Sequence, residues 1–452
     1  MNVEELRSEF EKKWDIIKKF AGDYQCEVIY YMVNSALTRF ANNIIHQNVA
    51  VQNGSLSIRL IKGKKSGKVD IPIYSSPQMI EEAVEAAKEI TDKNADDEEL
   101  LPLLGPQKYR ELSRFCDKTA ELDPEKRAQL VEKAAKKCAE NNLSAAGIAR
   151  NGWSLLGIAN TNGLFAFSAN TSFIFSITVS DTTGTGWAEG MGWSIDHVDV
   201  DSEIKEAVEI ALRNQNPKDL EPGKYTVILT PAAVADILSF LSLYGFNARM
   251  HFEGRSFLKG KLGEKVFSEL ITIIDDVYDE RWSGLPFDFE GVPRKSVVLV
   301  ENGVLKGLVY DRLTAKKMNA EPTGHGLPQP NRWGAIPLNI IVKPGKNDFA
   351  SLIKSVKHGL LITHFHYTNV SELTKLTITG MTRDGLFVVE NGEIAYPVKN
   401  MRFTQSIAEA LNNVVAVAKE QKMVEGFFFG GAITPGMIID GFNFSSKTEF
   451  GG

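Results

Sequence analysis

The chain has 452 residues, of which 43% are hydrophobic and 24% are charged, values typical of an ordinary soluble globular protein. Its 51 basic and 57 acidic residues give a formal net charge of −6. This balance argues against a nucleic-acid-binding protein, because such proteins usually carry a basic stripe that meets the phosphates. A chain of this length is expected to form about three domains.

The cysteines and the hydropathy pattern favour a cytoplasmic protein. Cys26, Cys116 and Cys138 form no CxxC pair, so neither a disulfide framework nor a cysteine-based zinc site is predicted. Residues 1–20 predict a charged amphipathic helix rather than a signal peptide. No stretch reaches the roughly 20 apolar residues that a membrane-spanning helix needs.

The first 215 residues follow one plan twice. In the first copy, a helix at 3–20 is followed by strands rich in Val, Ile and Phe. A hairpin turn is predicted at Asn53-Gly54, and a closing helix includes "EAVEAA" from Glu82. The basic run at 59–68 fits the tip of a hairpin better than a contact with nucleic acid.

The second copy repeats this order of elements. Its opening helix at 123–140 has Asp123 as the predicted N-cap and Pro124 at the first helical position. Its strands turn at Asn162-Gly163, and its closing helix includes "EAVEIA" from Glu206. An acidic, Pro-bearing segment separates the copies and predicts a linker. We therefore predict an N-terminal α/β domain at 1–95, a linker at 96–109, a middle domain at 110–220 and a C-terminal domain at 221–452.

The C-terminal part is predicted to consist mainly of strands. Pro231 opens a helix at 232–246, and two hairpins are predicted at Asn302-Gly303 and Asn391-Gly392. A long final helix is predicted at 405–422. The fold class is therefore α+β, with a duplicated helix–antiparallel-strands–helix N-terminal half and a strand-rich C-terminal domain.

Two further motifs favour structure over chemistry. The Gly-rich stretch 184–193 does not join a strand to a helix N-terminus, which a phosphate-binding loop requires, so it predicts a hairpin or a loop. Asp275 and Asp276 are adjacent, and adjacent strand residues point to opposite faces. We therefore predict a solvated loop there rather than a paired carboxylate site.

A pair of histidines lies in "LITHFHYTN" at 361–369. His364 and His366 are two apart, so on a strand both imidazoles project from the same face and can approach one ion. Zinc needs a third protein ligand, and only an unknown fold would bring His325 or His358 close enough. A polar groove or a structurally satisfied pair is favoured, and a metal site is the alternative.

Several blocks of the sequence, in the same order, resemble the TldD/PmbA (TldD/TldE) family, whose older name is modulator of DNA gyrase: "SALTRFANNIIHQN", "VFSELITIIDD", "ENGVLKGLVYDRLTAKKM", "FVVENGEI" and "GAITPGMIIDGFNFSS". The likeness covers nearly the whole chain. It implies an N-terminal, a middle and a C-terminal domain, and a role in cytosolic proteolysis and peptide maturation.

The resemblance also implies which kind of member this chain is. The catalytic TldD kind carries His-Glu-x-x-x-His on a helix of the C-terminal domain, with a later Cys, as zinc ligands. The matching positions here hold Ser239, Phe240 and Tyr244, and no Cys follows Cys138. The chain therefore resembles the PmbA/TldE kind, for which no catalytic residue and no cofactor is expected, with zinc in a TldD-like partner.

In this family the catalytic partner is thought to add an extended peptide as a strand, a mode tolerant of sequence. His364, His366 and His325 are then candidates for lining a peptide groove. The expected partners are a TldD-like catalytic subunit, an extended peptide and, when alone, a second copy of the chain, with no nucleic acid or membrane.

Two alternatives to a non-catalytic protease subunit remain open. One is a divergent, free-standing metallopeptidase that uses His364, His366 and also His325. The other is a peptide-binding homodimer without any chemistry.

Overall fold

The computed structural model describes residues 3–426, 428 and 430–448. The first copy of the repeat folds in the predicted order of a helix, antiparallel strands and a helix, and it has three strands. Its elements are α1 (Val3–Ala21), β1 (Gln25–Ala41), β2 (Ile44–Lys62), β3 (Lys65–Pro72) and α2 (Pro77–Lys93).

The second copy has the same order, preceded by a short helix. Asp123 caps its opening helix as predicted, since its carboxylate accepts the Lys126 N–H at 2.8 Å, and Pro124 occupies the first turn. Its elements are α3 (Asp117–Ala120), α4 (Pro124–Glu140), β4 (Ser144–Asn160), β5 (Phe165–Ser180), β6 (Thr185–Gly192), a 3₁₀ turn (Ile195–His197) and α5 (Val200–Arg213).

Both copies contribute to one antiparallel sheet, the N-terminal sheet, with the strand order β3-β2-β1-β4-β5-β6. The two copies meet at its centre, where β1 pairs with β4 from Glu27–Asn160 to Phe40–Gly147. Helices cover one face, and their apolar stripes pack on strand residues such as Tyr30. The opposite face packs on the C-terminal domain through a cluster that includes Leu156 and Phe287. The predicted duplication is confirmed.

The turn predicted at Asn53-Gly54 is wrong. Both residues lie within β2, opposite Val33 and Met32 of β1. The chain turns instead at Asn42-Asn43, whose φ angles of 51° and 62° suit Asn and a tight hairpin. Gly54 is required for packing, because a Cβ there would lie 2.9 Å from the Ile73 side chain.

The predicted turn at Asn162-Gly163 joins β4 to β5, and the basic run turns at Gly63 as expected, with φ values of 88° and 61° for the two glycines. The Gly-rich stretch at 184–193 forms β6, an edge strand that pairs with β5. It thus forms one arm of a hairpin rather than a phosphate-binding loop.

The C-terminal domain combines short helices with a mixed sheet, as predicted. Its elements are β7 (Gly223–Leu229), α6 (Pro231–Gly245), α7 (Ala248–Phe252), β8 (Ile273–Asp275), β9 (Val297–Glu301), β10 (Val304–Leu305), α8 (Arg312–Lys317), β11 (Asn339–Val342), α9 (Phe349–Ser355), β12 (His358–Glu372), β13 (Thr377–Glu390), β14 (Glu393–Pro397), β15 (Met401–Ser406), α10 (Ile407–Asn412), β16 (Val414–Glu425) and β17 (Gly431–Lys447).

The main path of this C-terminal sheet is β10-β9-β8-β11-β17-β15-β13-β12-β7, and β7 also pairs with β17, so five of its strands close into a ring. Helix α6 packs against β12, β16 and β17 in the largest apolar core. In the part of the chain that the structure describes, no helix is both long and apolar enough to cross a membrane.

The two predicted C-terminal hairpins are confirmed. β9 and β10 turn at Asn302-Gly303, and β13 and β14 turn at Asn391-Gly392, with positive φ at all four residues. The long final helix at 405–422 is wrong. Helix α10 ends at Asn412, and the following segment, rich in Val, pairs with β17 as strand β16.

Candidate functional site

Helix α6 carries Ser239, Phe240 and Tyr244, which the sequence resemblance matches to the zinc-motif positions of catalytic members. Pro231 begins the helix, as the sequence predicts, and Thr230 caps it. Ser239 Oγ donates to the Ala235 carbonyl at 3.0 Å within the helix. Phe240 is 1% exposed, and its ring meets that of Phe428 edge-on, with centroids 5.0 Å apart.

These residues do not fit a zinc ion. The cavity beside Ser239 measures about 20 Å³, which is room for roughly one water molecule. Its walls are mainly apolar and include Leu238, Ile336 and Phe428. Zinc requires His, Cys or carboxylate ligands, and a catalytic zinc also holds a water. In residues 3–426, 428 and 430–448, no group of three or more His, Cys, Asp or Glu is placed to hold a metal ion.

A larger cavity of about 360 Å³ lies between the open face of the N-terminal sheet and the C-terminal domain, and we call it the interdomain cavity. The sheet contributes polar side chains, including Ser154 and Asn170. The opposite wall is the segment 282–289, which brings aromatic and aliphatic side chains. Tyr31 of β1 meets Phe289 of this segment in a T-shaped contact, with ring centroids 6.2 Å apart. The cavity therefore has an apolar wall facing a hydroxyl- and amide-bearing wall.

A buried charged cluster borders the interdomain cavity. Asp275 Oδ1 accepts hydrogen bonds from Arg294 at 2.7 Å and from His325 Nε2 at 2.8 Å. Its Oδ2 accepts the backbone N–H groups of Leu338 and Asn339 at 2.7 and 2.8 Å. The prediction of a solvated loop is wrong for Asp275, which is 0% exposed. The backbone donors reach Oδ2 because strand β8 ends opposite the start of β11.

The cluster has a defined charge state. Burial alone would raise the pKa of Asp275, but Arg294, His325 and the backbone donors outweigh it, so the pKa is lowered. Burial and the nearby Arg294 lower the pKa of His325. The lowered pKa favours the neutral imidazole at physiological pH. Its Nε2 lies 2.8 Å from Asp275 Oδ1, and its Nδ1 lies 2.9 Å from the Thr323 carbonyl and 3.0 Å from the Thr323 hydroxyl. The ion pair of Asp275 and Arg294 then leaves the cluster without net charge.

Two buried N–H donors beside the interdomain cavity have no acceptor. Among the described residues, neither Arg294 Nε nor Trp282 Nε1 has a hydrogen-bond partner. Trp282 is 2% exposed and Arg294 is 7% exposed, and both line the cavity. A buried donor without an acceptor costs about 1–3 kcal/mol, so these two N–H groups reduce the stability of this wall.

Two carboxyl groups on the next loop have raised pKa values. Asp288 accepts the N–H groups of Glu290, Val292 and Gly326. Burial raises the pKa of Asp288. Burial and the adjacent Asp288 raise the pKa of Glu290. Asp288 lines the interdomain cavity, and its three backbone donors partly oppose the effect of burial.

The three histidines singled out in the sequence are not brought together. His364 and His366 share a face of β12, where His364 lies between the Trp187 ring, at 4.6 Å between centroids, and Asp384, 3.5 Å away. Burial, His366 and Arg383 lower the pKa of His364 to about 3. The contacts of His325 are with Asp275 and Thr323 in the other cluster. The histidines therefore belong to two different regions, and their role in a peptide groove stays a prediction.

The sequence reasoning missed a carboxylate beside the histidine pair. Asp236 is the single charged residue in the apolar helix α6, and its Oδ2 accepts the Phe365 N–H at 2.9 Å. Burial, with a contribution from Glu189 of β6, raises the pKa of Asp236 to about 7. Burial likewise raises the pKa of Glu189 to about 7. One charge in an otherwise apolar helix is a signal that could have identified it.

Family models match two long segments of the chain. Residues 117–215 match the PmbA/TldA metallopeptidase central domain, and residues 222–446 match the PmbA/TldA metallopeptidase C-terminal domain. Among curated relatives, a metalloprotease TldD homolog from Buchnera aphidicola is 32% identical over 233 residues, or 50% of this chain and 47% of that protein. A metalloprotease PmbA homolog from Haemophilus influenzae is 28% identical over 228 residues, covering 50% and 48%.

Solved structures share the fold over almost the full length. TldE from Thermococcus kodakarensis has a TM-score of 0.87 at 24% identity, covering 97% of this chain and 100% of that one. A proposed modulator of a DNA gyrase from Thermotoga maritima has a TM-score of 0.84 at 22% identity, covering 96% and 100%. The chain spans about half the length of the curated relatives it matches. Since the two family models together cover well over half of its residues, the chain belongs to the PmbA/TldD family.

Proposed function

We propose that this chain is a PmbA/TldE-like, metal-free subunit of a TldD/TldE-type protease that degrades or matures unfolded peptides in the cytoplasm. The observation that carries the proposal is the state of helix α6. Ser239, Phe240 and Tyr244 stand where the catalytic kind has His, Glu and His, and Phe240 is packed under Phe428. The zinc and its activated water would then come from a TldD-like partner subunit.

The interdomain cavity supports a role in holding the peptide. An extended peptide offers carbonyl oxygens along its backbone and apolar side chains to either side. The cavity offers both kinds of surface, since Ser154 and Asn170 are polar and Phe287 and Phe289 are apolar. The neutral charge of the Asp275 cluster favours an uncharged stretch of peptide over a charged one.

Reconstitution tests the proposal. The chain would be mixed with a TldD-like subunit, and cleavage of an unfolded peptide would be followed together with the zinc content of each chain. We expect cleavage to need both chains and zinc to be found with the TldD-like subunit. Undiminished cleavage when this chain is left out, or cleavage by this chain alone with added zinc, would overturn the proposal.

A variant that fills the interdomain cavity separates peptide holding from assembly. Ser172 lines the cavity and is exposed, so Ser172→Trp should raise the KM of the reconstituted protease for peptide without lowering its assembly. Ser445→Trp, at another exposed strand serine, is the matched control and should leave the KM unchanged. Equal KM values for the two variants would remove the cavity from the mechanism.

A further inference from the structure

A second cavity, of about 380 Å³, lies where the N-terminal sheet meets the C-terminal domain. Its walls come from β2 and β3 of the sheet, from the segment 97–101 that follows α2, and from α8 and the loop 329–332 of the C-terminal domain. It shares no lining residue with the interdomain cavity. We call it the arginine cavity, because its lining includes four arginines: Arg59, Arg249, Arg312 and Arg332.

Two of these arginines already have carboxylate partners. Arg59 Nη2 lies 2.8 Å from Glu27 Oε1 in a buried pair, and Arg249 Nε lies 2.7 Å from Glu253 Oε1. Arg249 Nη1 also donates to the Asn331 carbonyl at 3.1 Å, which fixes the loop 329–332 against α7. These two arginines therefore hold the walls of the cavity together.

The other two arginines have no carboxylate partner. Among the described residues, neither Arg312 nor Arg332 forms an ion pair. Arg312 Nη2 donates to the Pro102 carbonyl at 2.6 Å. Arg332 follows Asn331, whose side-chain amide donates to the Gly334 carbonyl at 2.7 Å, so the loop that carries Arg332 has a defined shape. A guanidinium has five N–H donors and stays charged at physiological pH, so both side chains can bind an anion.

The carboxyl groups of the same cavity offset only part of this positive charge. Glu99 forms an ion pair with Lys317. Glu290 accepts a backbone N–H at 2.9 Å and a side-chain amide at 3.0 Å. Burial and the adjacent Asp288 raise the pKa of Glu290, which disfavours its negative charge. Asp97 is the third acid of the lining. Within the described residues, the cavity thus has two arginines but one ionised carboxylate without an ion-pair partner, in a chain whose net charge is −6.

We propose that the arginine cavity binds a small polyvalent anion, a molecule with two or more carboxylate or phosphate groups, through Arg312 and Arg332. The planar fork of a guanidinium matches both kinds of oxyanion, and a second anionic group lets both arginines take part. A volume of about 380 Å³ lies within the range of small-molecule sites. Because the walls come from both domains, the bound anion also ties the N-terminal sheet to the C-terminal domain.

Titration calorimetry with three simple anions tests the proposal on the chain alone, at constant ionic strength. Citrate represents a polyvalent carboxylate, pyrophosphate a polyvalent phosphate, and acetate a single carboxylate. We expect citrate or pyrophosphate to bind with a Kd below about 1 mM, and acetate to bind at least about tenfold more weakly. The tighter of the two polyvalent probes shows which oxyanion the cavity prefers.

Two pairs of variants assign the binding to the cavity. Arg312→Met/Arg332→Met should weaken binding of the tighter probe about tenfold or more, because it removes the charge-assisted hydrogen bonds. Arg213→Met/Arg402→Met is the matched control, since both arginines are exposed and lie outside the cavity. It changes the net charge equally and should keep the wild-type affinity. Circular dichroism checks that each variant is folded, and Arg332→Met alone, at an exposed loop residue, replaces the double variant if that one does not fold.

Thermal unfolding gives a second readout. A ligand that binds only the folded chain raises the Tm, so the tighter probe should raise the Tm of the wild type and of the control more than that of the cavity variant. No binding of either citrate or pyrophosphate would overturn the inference, and so would an equal loss of affinity in both double variants or equal binding of acetate. The result is independent of the cleavage assay, since the anion is titrated into this chain without any partner or peptide.

Discussion

The ring of Phe428 lies edge-on against the ring of Phe240, with centroids 5.0 Å apart and an interplanar angle of 81°. The sequence resemblance matches Phe240 to the Glu of the zinc motif of TldD-like members. At this point helix α6 packs through apolar contacts.

Removing the Phe240 ring should destabilise the C-terminal domain. Phe240→Ala leaves a cavity in the main core, and such changes typically cost about 3–5 kcal/mol in the free energy of unfolding. Urea unfolding, monitored by fluorescence, measures this loss of stability. Phe252→Ala is the control, since Phe252 is 50% exposed and its loss should cost about 0.5 kcal/mol or less. Similar costs for both would contradict the packing described here.

Single and double variants of the Asp275–Arg294 pair should differ strongly in their free energy of unfolding. Arg294→Met leaves Asp275 buried without its cation, and breaking such a pair costs about 3–5 kcal/mol. Arg294→Met/Asp275→Asn removes the charge as well and should recover part of that loss. Denaturant unfolding of the wild type, both single variants and the double variant gives the coupling energy. Strictly additive single effects would show that the two side chains act independently.

The raised pKa of Asp236 predicts a pH-dependent stability. An Asp in the unfolded chain titrates near its ordinary value of 3.8, whereas the folded pKa is about 7. The folded state therefore binds a proton between these values, and the stabilisation is complete below pH 4 and lost as the pH rises through 7. Asp236→Asn keeps an oxygen that accepts the Phe365 N–H and carries no charge at any pH.

We expect Asp236→Asn to match the wild type at pH 4.5 and to exceed it by about 1–3 kcal/mol at pH 8. Denaturant unfolding at the two pH values checks this. Asp23→Asn is the control, because the side chain of Asp23 is 78% exposed, and it should show no gain at pH 8. A variant that is less stable than the wild type at pH 8 would mean that the carboxylate is held in its charged form.

Gly54 and Asn53 should respond very differently to alanine. A Cβ at Gly54 would lie 2.9 Å from both the Ile73 side chain and the Tyr31 carbonyl. Relieving this overlap shifts strands β1 and β3, which should cost about 1–3 kcal/mol. Asn53 is exposed in the same strand, so Asn53→Ala should change the stability by about 0.5 kcal/mol or less. Thermal unfolding of the two variants distinguishes a packing glycine from a turn glycine.

These residues also show why sequence patterns located some elements and not others. Asn302-Gly303 and Asn391-Gly392 form the predicted tight turns, because the residues on either side pair directly. Asn53-Gly54 carries the same local signal, but contacts with Tyr31 and Ile73 require glycine for space rather than for a turn. Local propensity cannot distinguish these two uses of glycine, since the second depends on strands that are distant in sequence.

For the same reason, the sequence predicts some residues of the candidate site and not others. The zinc-motif positions Ser239, Phe240 and Tyr244 follow from the family pattern alone, and the structure places them on the predicted helix. The cluster of Asp275, Arg294 and His325 joins three distant segments through β8 and β11. No local sequence pattern therefore predicts it. The predicted final helix is wrong at Val414–Val417. The helical spacing of apolar residues continues there, but the residues themselves favour a strand.

The central pairing of β1 with β4 also determines the order in which this protein can form during synthesis. Asn34 can pair with Trp153 only after Trp153 has left the ribosome. Until then, one side of the longest hairpin of the first repeat has no strand partner. Long-range pairing of this kind slows folding and leaves an emerging chain exposed to the wrong strands. The first repeat has the elements of a small domain, but its sheet is complete only when the second repeat pairs with it.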